Sequence, residues 1–577
     1  MEYKMKLTPE QKDLLSGAQG ATKAKVMETL VRYGELFGAD EMVPVTGRYN
    51  HLVTSFGLKA LGPVYGLMEQ LIAEGAVSEQ KFTVDPRPMD KNVPANFLQN
   101  LVFRKFMYTR QDYYEAQLES LGLIGSDAFT CTCYMKEVGN TPGCGDVLSW
   151  SESSAVVYAN SVLGARCNRN SGIIDLMGSI VGFVPSFGLL KDEGRRASWV
   201  VEIKTTKKPE AQLLGSAIGM KVMEDVPYIK GLDKWLGTEL DDTAKSYLKD
   251  FGAATASNGA VGLYHVENLT PEAVRYGDSL VLDGAKTYVI DDAELQRVYD
   301  SYPVVWKNPD AEPKLCFMGC PHMSLEQLIS WTERIERACG MREQKGGHTD
   351  GVHRRARSAG SLRKDGVRRK TERGRRYNKL YLPAYVYEQP ALRQNAGDNF
   401  QQQAAHLHDG KVLYRCRDPF HDNKGGKEIM KSFQGRVVAE GTAKAKALVS
   451  HEGLNTLASF QKALQFGDKK ATCGDQNNKD LYGREMVGTA LCLPRTIGST
   501  TGGLVIYCAC SMGRQPACML FSEPIDSLAA AGAILSDVWL DGVSMPVVDS
   551  LGAEFLDYVK NGMEITVKPG GVVEVDG

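Results

Sequence analysis

Two hydrophobic periods alternate along this chain, one near 3.6 residues and one near two. Behind a Thr8-Pro9-Glu10 helix start, the segment Lys23 to Leu36 carries apolar residues at helical spacing, which predicts opening helices. MVPVTGRYNHL after it reads as a short strand and a loop. Pro86 to Glu119 is richer in aromatic and basic residues than a simple connection needs and reads as a local insertion. Further on, SWVVEIKT, AVGLYHVENLTPEA and KLCFMGCPHMSLEQLISWTERIE alternate β-branched runs with helical ones. Each strand ends in Gly, His or Cys, so the order is α/β with candidate site residues at strand ends. From Met430, short apolar strands punctuated by Gly, among them GLVIYCACS, join an Ala-rich helix. Such a pattern suits a compact β/α module of about 150 residues.

One segment breaks both periods. Between about Lys345 and Lys379 the chain holds thirteen Lys or Arg against three acids, and it stays aperiodic to about Gly426. Of the 68 bases and 70 acids in all, this leaves 55 against 67 elsewhere, so a mildly acidic protein carries one strongly basic stretch. By composition that stretch is disordered, since it buries too little apolar surface to offset chain entropy. HRRARS, RRK and RGRR also fit a nucleic-acid-binding arm, a rival reading from a different class. The absence of aromatic residues before Tyr377 weighs against it.

At 577 residues the chain exceeds one ordinary core. Its 43% hydrophobic and 24% charged residues are those of a globular protein, and a net charge of -2 gives no overall pull toward nucleic acid or anionic membrane. No signal core and no long apolar run is present, so a cytoplasmic location is the default. Thirteen cysteines, an odd number, argue for thiols and metal ligands over a disulfide framework.

Candidate chemistry concentrates in Asp127 to Asn170. There Cys131, Cys133, Cys144 and Cys167 share a short span with Glu152, Ser153, Ser154, Asn160, Arg166, Asn168 and Arg169. Glu152, Ser153, Asn160 and Arg169 read as lining a substrate site, Arg as a clamp for a carboxylate. His265 and His322 end strands and could touch a bound substrate, or be structural. The remaining cysteines, Cys508 and Cys510 included, read as small core hydrophobes.

Five blocks in order, LTPEQKDLL, FTCTCY with GNTPGCGDVLSWSESSAVVYANSVLGARCNR, GLYHVENLTPEA, FMGCPHMSLEQL, and LPRTIGSTTGG with SEPIDSLAAAGAI, resemble the aconitase X branch of the aconitase superfamily. The resemblance implies a large multi-layer α/β catalytic part over 1–342 and a small swivelling β/α domain over 430–577. The two parts would pack on each other, with the aberrant basic segment 343–429 between them. It further implies an iron-sulfur cluster held by three cysteines, of which Cys131 and Cys320 match two. Ser499 matches the catalytic base, on a glycine turn where Gly498 and Thr500 would help hold the substrate. The implied reaction is dehydration of a small hydroxy acid, cis-3-hydroxy-L-proline to 1-pyrroline-2-carboxylate. The alternatives are 5-phosphomevalonate as substrate and an inactive fused chain.

The third cysteine ligand is absent from its place. The family pattern has T-C followed by YMNNP where this chain has the aperiodic stretch, whose lone cysteine is Cys416. Codons permitted for KLYLPAYVYEQP, read one nucleotide along, spell SSTCLRMYMNNP. A shifted reading frame over 343–429 would explain both the composition and the missing ligand; a genuine insert is the alternative.

Overall fold

The computed structural model describes residues 3–54, 57–88, 97–125, 128–302, 321–342, 430–497 and 500–576. The basic segment, Cys320, Gly498 and Ser499 lie outside the described residues.

The first body opens with α1 (Pro9–Ser16) and α2 (Ala21–Leu36). The Thr8 hydroxyl accepts the Gln11 N–H while the Gln11 side chain accepts the Thr8 N–H, a reciprocal cap that starts α1 where the sequence places it. There follow β1 (Met42–Pro44), β2 (Asn50–Leu52), α3 (Gly62–Ala73), β3 (Phe82–Val84), α4 (Phe97–Val102), α5 (Gln111–Leu121), α6 (Ser153–Ser161), α7 (Gly172–Val181) and β4 (Phe183–Pro185). Strands β1 and β4 pair antiparallel, β2 and β3 parallel. The stretch read as an insertion is no appendage. Tyr114, Leu118 and Leu121 of α5 are buried in the same core as α3, because their i, i+4, i+7 spacing gives α5 one apolar face.

The second body is a four-stranded parallel sheet of order β7-β6-β5-β8, built from β5 (Ala197–Ile203), β6 (Pro227–Lys230), β7 (His265–Val266) and β8 (Val281–Ile290). Helices α8 (Ala211–Val222), α9 (Asp233–Leu236), α10 (Asp242–Gly259), α11 (Pro271–Tyr276) and α12 (Asp292–Ser301) accompany it, and α13 (Leu325–Arg342) follows. A side-chain carbon at Gly259 would lie 1.9 Å from the Gly219 carbonyl oxygen, so glycine is what lets α8 and α10 approach backbone to backbone.

The third body holds β9 (Lys431–Gln434), β10 (Arg436–Ala439), β11 (Ala443–Val449), β12 (Leu454–Asn455), α14 (Thr456–Phe466), β13 (Ala490–Leu493), β14 (Thr496–Ile497), α15 (Gly502–Ser511), β15 (Cys518–Phe521), α16 (Ser527–Trp539), β16 (Val547–Asp549), α17 (Ala553–Tyr558), β17 (Glu564–Lys568) and β18 (Val572–Asp576). Its eight-stranded sheet runs β10-β16-β15-β13-β11-β17-β18-β9, parallel from β16 to β11 and antiparallel at both ends. One face buries Phe433, Cys492, Leu520 and Phe555. On the other, α14 to α16 share a continuous core with α2, α3 and α7 of the first body, so the large and small parts pack on each other. One reading needs correcting here. GLVIYCACS is helical, within α15, and Cys508 and Cys510 are each buried in a helix wedged between elements, not on one face of a strand. A short run that is apolar on every side fits a fully enclosed helix as well as a strand, and its length alone does not separate them.

Candidate functional site

Four extended segments run in the same direction at the centre of the first body. His51 of β2 lies between Thr83 of β3 and Trp150, and Val84 of β3 bridges Phe129, each pairing parallel. The Val84 N–H donates to Ala128 and the Thr130 N–H to Val84 at 2.7 Å, which fixes the register. Leu52, Phe82, Val84, Phe129 and Trp150 are buried, which explains why these short apolar runs are extended and stacked. Their carboxyl ends deliver Glu152, Asp85 and Cys131 to one place, the edge at which open parallel α/β arrangements hold ligands.

Cys131 is half-buried, and its sulfur accepts the His322 N–H at 3.2 Å. The His322 ring is held against the Thr130 hydroxyl at 3.2 Å. Sequence places Cys320 two residues before His322. Cys133 is fully buried, and burial, reinforced by the charge of Glu152, pushes its thiol well above the ordinary range. Of this pair, Cys131 is therefore the better thiolate ligand. Cys167 is buried too, its sulfur donating to the Trp150 and Asn168 carbonyls at 3.3 Å.

Glu152 caps α6, its Oε2 accepting the Ala155 N–H at 2.6 Å and the Ser154 hydroxyl at 2.7 Å. Burial first, and the charge of Asp85 second, push its carboxyl up to about 7. Arg169 bonds the Ser153 hydroxyl at 3.2 Å through Nε. Burial lowers its pKa, while Asp526, Glu224 and Glu152 pull the other way. The Arg169 carbonyl accepts the Ser527 hydroxyl of α16 at 3.1 Å, and the Ser171 hydroxyl donates to the Thr500 carbonyl at 3.1 Å. Glu152, Ser153, Arg169 and Thr500 thus gather along the seam between the first and third bodies.

Asn160 stands elsewhere. Its amide nitrogen donates to the Cys167 and Gly262 carbonyls, and its oxygen accepts from the Cys167 N–H and from Arg195. Every donor and acceptor it has is taken up by the frame, which corrects its reading as a substrate contact. His265 is likewise structural, bonded to the Arg195 carbonyl at 2.8 Å beside Glu272, with burial lowering its pKa.

Two site residues escaped the sequence reading. His51 and Asp85 lie with Glu152 such that one ligand atom from each falls within 4.8 Å of the others. Their signal was faint: YNHL and FTVDP are each three or four residues of strand ending in a polar group, too short for a period of two to register.

Family models match almost the whole described chain: "Aconitase X first domain" over 4–193, "Aconitase X second domain" over 197–300, and "Aconitase X swivel domain" over 432–575. The chain is 33% identical over 337 residues to the phosphomevalonate dehydratase large subunit of Thermococcus kodakarensis, covering 57% of this chain and 77% of that one. The chain belongs to the aconitase X family. It is also 32% identical over 206 residues to the cis-3-hydroxy-L-proline dehydratase of Hypocrea jecorina, covering 35% of this chain and 33% of that one. Among solved structures it resembles the holo-form of Thermococcus kodakaraensis aconitase X at a TM-score of 0.51 and 28% identity, over 67% of this chain and 90% of the other. These relatives are dehydratases, and an aconitase X chain is a hydro-lyase. Among the described residues no helix is long and apolar enough to cross a membrane.

Proposed function

We propose that this aconitase X chain eliminates water from cis-3-hydroxy-L-proline in the seam between the first and third bodies. Ser499 takes the C2 proton, and the C3 hydroxyl leaves to give an enamine that tautomerises to 1-pyrroline-2-carboxylate. The observation that carries this reading is the Ser171 to Thr500 hydrogen bond, which ties the residue next to Ser499 to the segment bearing Arg169. Helix α15 adds to it. Thr501 at its N-cap makes no side-chain capping bond, so the first-turn N–H groups are available to stabilise an alkoxide and a substrate carboxylate. Arg169 can pair with that carboxylate.

An iron-sulfur group fits Cys131 in kind. The thiol is half-exposed and receives a backbone N–H, as cluster sulfurs do, while Cys133 is sealed away. Cys131 and Cys320 would hold the group, which supplies Lewis acidity for the departing hydroxyl. Two thiols leave it one ligand short of a three-cysteine site.

Charge supports the imino acid over a phosphate ester. Arg166 is tied to Asp192 and Leu190, and Arg195 to Glu272, Asn160 and Leu189, so neither guanidinium is placed to clamp a phosphate. The second reading, 5-phosphomevalonate, is favoured by the extent of the match to the Thermococcus relative. The test is anaerobic reconstitution with iron and sulfide assays, followed by turnover on each substrate. Ser499→Ala is expected to lower kcat at least about 100-fold at unchanged iron content. A variant that retains turnover rejects Ser499 as base, and turnover confined to 5-phosphomevalonate rejects the imino acid.

A further inference from the structure

His51 is held so that one ring nitrogen has a set role. The Thr83 hydroxyl donates to the Asn50 carbonyl at 3.3 Å and accepts from the Asn140 amide at 3.1 Å. When that proton goes to Asn50, the hydroxyl accepts from His51 Nδ1, 2.9 Å away. The neutral ring then carries its lone pair on Nε2. That nitrogen is fully buried, has no hydrogen-bond partner among the described residues, and points at Asp85 Oδ1, 3.7 Å away. Glu152 approaches the same point, and both of its hydrogen bonds among the described residues engage Oε2.

An imidazole nitrogen facing two carboxylates is the kind of donor set that cations take. Fixing one His nitrogen as donor so that the other presents its lone pair is the arrangement of metal-ligating histidines. Three ligands spread round one ion with bonds of about 2.0–2.2 Å lie about 3.1–3.8 Å apart; the His51–Asp85 pair, at 3.7 Å, already does, and a set within 4.8 Å needs to close by about 1 Å or less. We infer that His51, Asp85 and Glu152 form a seat for one divalent cation of the class that takes imidazole and carboxylate ligands, such as Mn²⁺ or Fe²⁺. The seat needs no thiol, so it is chemically distinct from the group proposed at Cys131 and does not depend on the dehydratase reading.

The test uses the full chain, stripped with chelator and titrated with Mn²⁺, free Mn²⁺ being followed by its paramagnetic resonance. Mn²⁺ is the probe because thiolates compete poorly for it. One ion per chain is expected, with affinity at least about tenfold weaker in both His51→Gln and Glu152→Gln and unchanged in Cys131→Ser. Glu152→Gln keeps the carbonyl that caps α6, so it remains informative if the fully buried His51→Gln does not fold, a point circular dichroism settles. Absence of stoichiometric uptake by the wild-type chain, which is the result if the triad shares only a proton, overturns the inference. So does uptake unaffected by Glu152→Gln, or uptake lost in Cys131→Ser.

Discussion

Asp175 sits at the floor of α7, where the Ser149 hydroxyl and Asn170 amide both donate to Oδ1, and burial pushes its carboxyl well above the ordinary 3.8. The folded chain therefore keeps a proton that the unfolded chain releases above about pH 4, and stability falls as pH rises from there through the raised value. Asp175→Asn preserves the acceptor and removes the titration. Denaturant unfolding across a pH series should show a shallower loss for the variant, and equal slopes would mean that Asp175 is ionised in the fold. Asn160→Ala is expected to cost about 2–4 kcal/mol by orphaning the buried groups around Cys167 and Gly262, with KM unchanged in the folded fraction. A raised KM at intact stability would restore Asn160 to the substrate site. At this scale one dense span of sequence pointed to Glu152, Ser153 and Arg169, which the fold brings close together. Asn160 came from the same span, but a polar residue beside a site and one inside the frame look alike until their partners are known.

Among elements, the loop into α7 is the tightest point. A side-chain carbon at Gly172 would lie 1.5 Å from the Val53 carbonyl oxygen, and Val53 follows β2 directly. Gly172→Ala is expected to destabilise by about 3 kcal/mol or more and to displace Ser171 from Thr500, measured as a lowered Tm together with raised KM. A normal Tm would mean that the two segments separate without cost. The strands that place the site are three residues or fewer, shorter than any periodic signal, so their parallel order was out of reach of pattern reading. Helix α15 was misread for the opposite reason, since it is enclosed on all sides and carries no polar stripe.

For the whole molecule, the α/β order and the two-part division were legible because they rest on long segments with consistent periods. The seam was not, since a core shared between residues 5–181 and 438–547 is a matter of distance in space. The proposed cluster site, one thiol short of three, gives the sharpest prediction here. A chain in which the alternative frame of 343–429 is restored should take up more iron and sulfide on anaerobic reconstitution than the chain as given. Equal uptake would show that the segment has no part in cluster binding.

Trp539 of α16 donates its indole N–H to the Thr29 hydroxyl of α2 at 3.0 Å, across the seam, and lies buried beside Lys25. Of the six tryptophans, it is the sole one beyond residue 430. Nature has thereby put a single fluorophore on the joint: with the other five changed to phenylalanine, a red shift in emission would report the two parts coming undone, and a substrate that draws them together would be seen as its reversal.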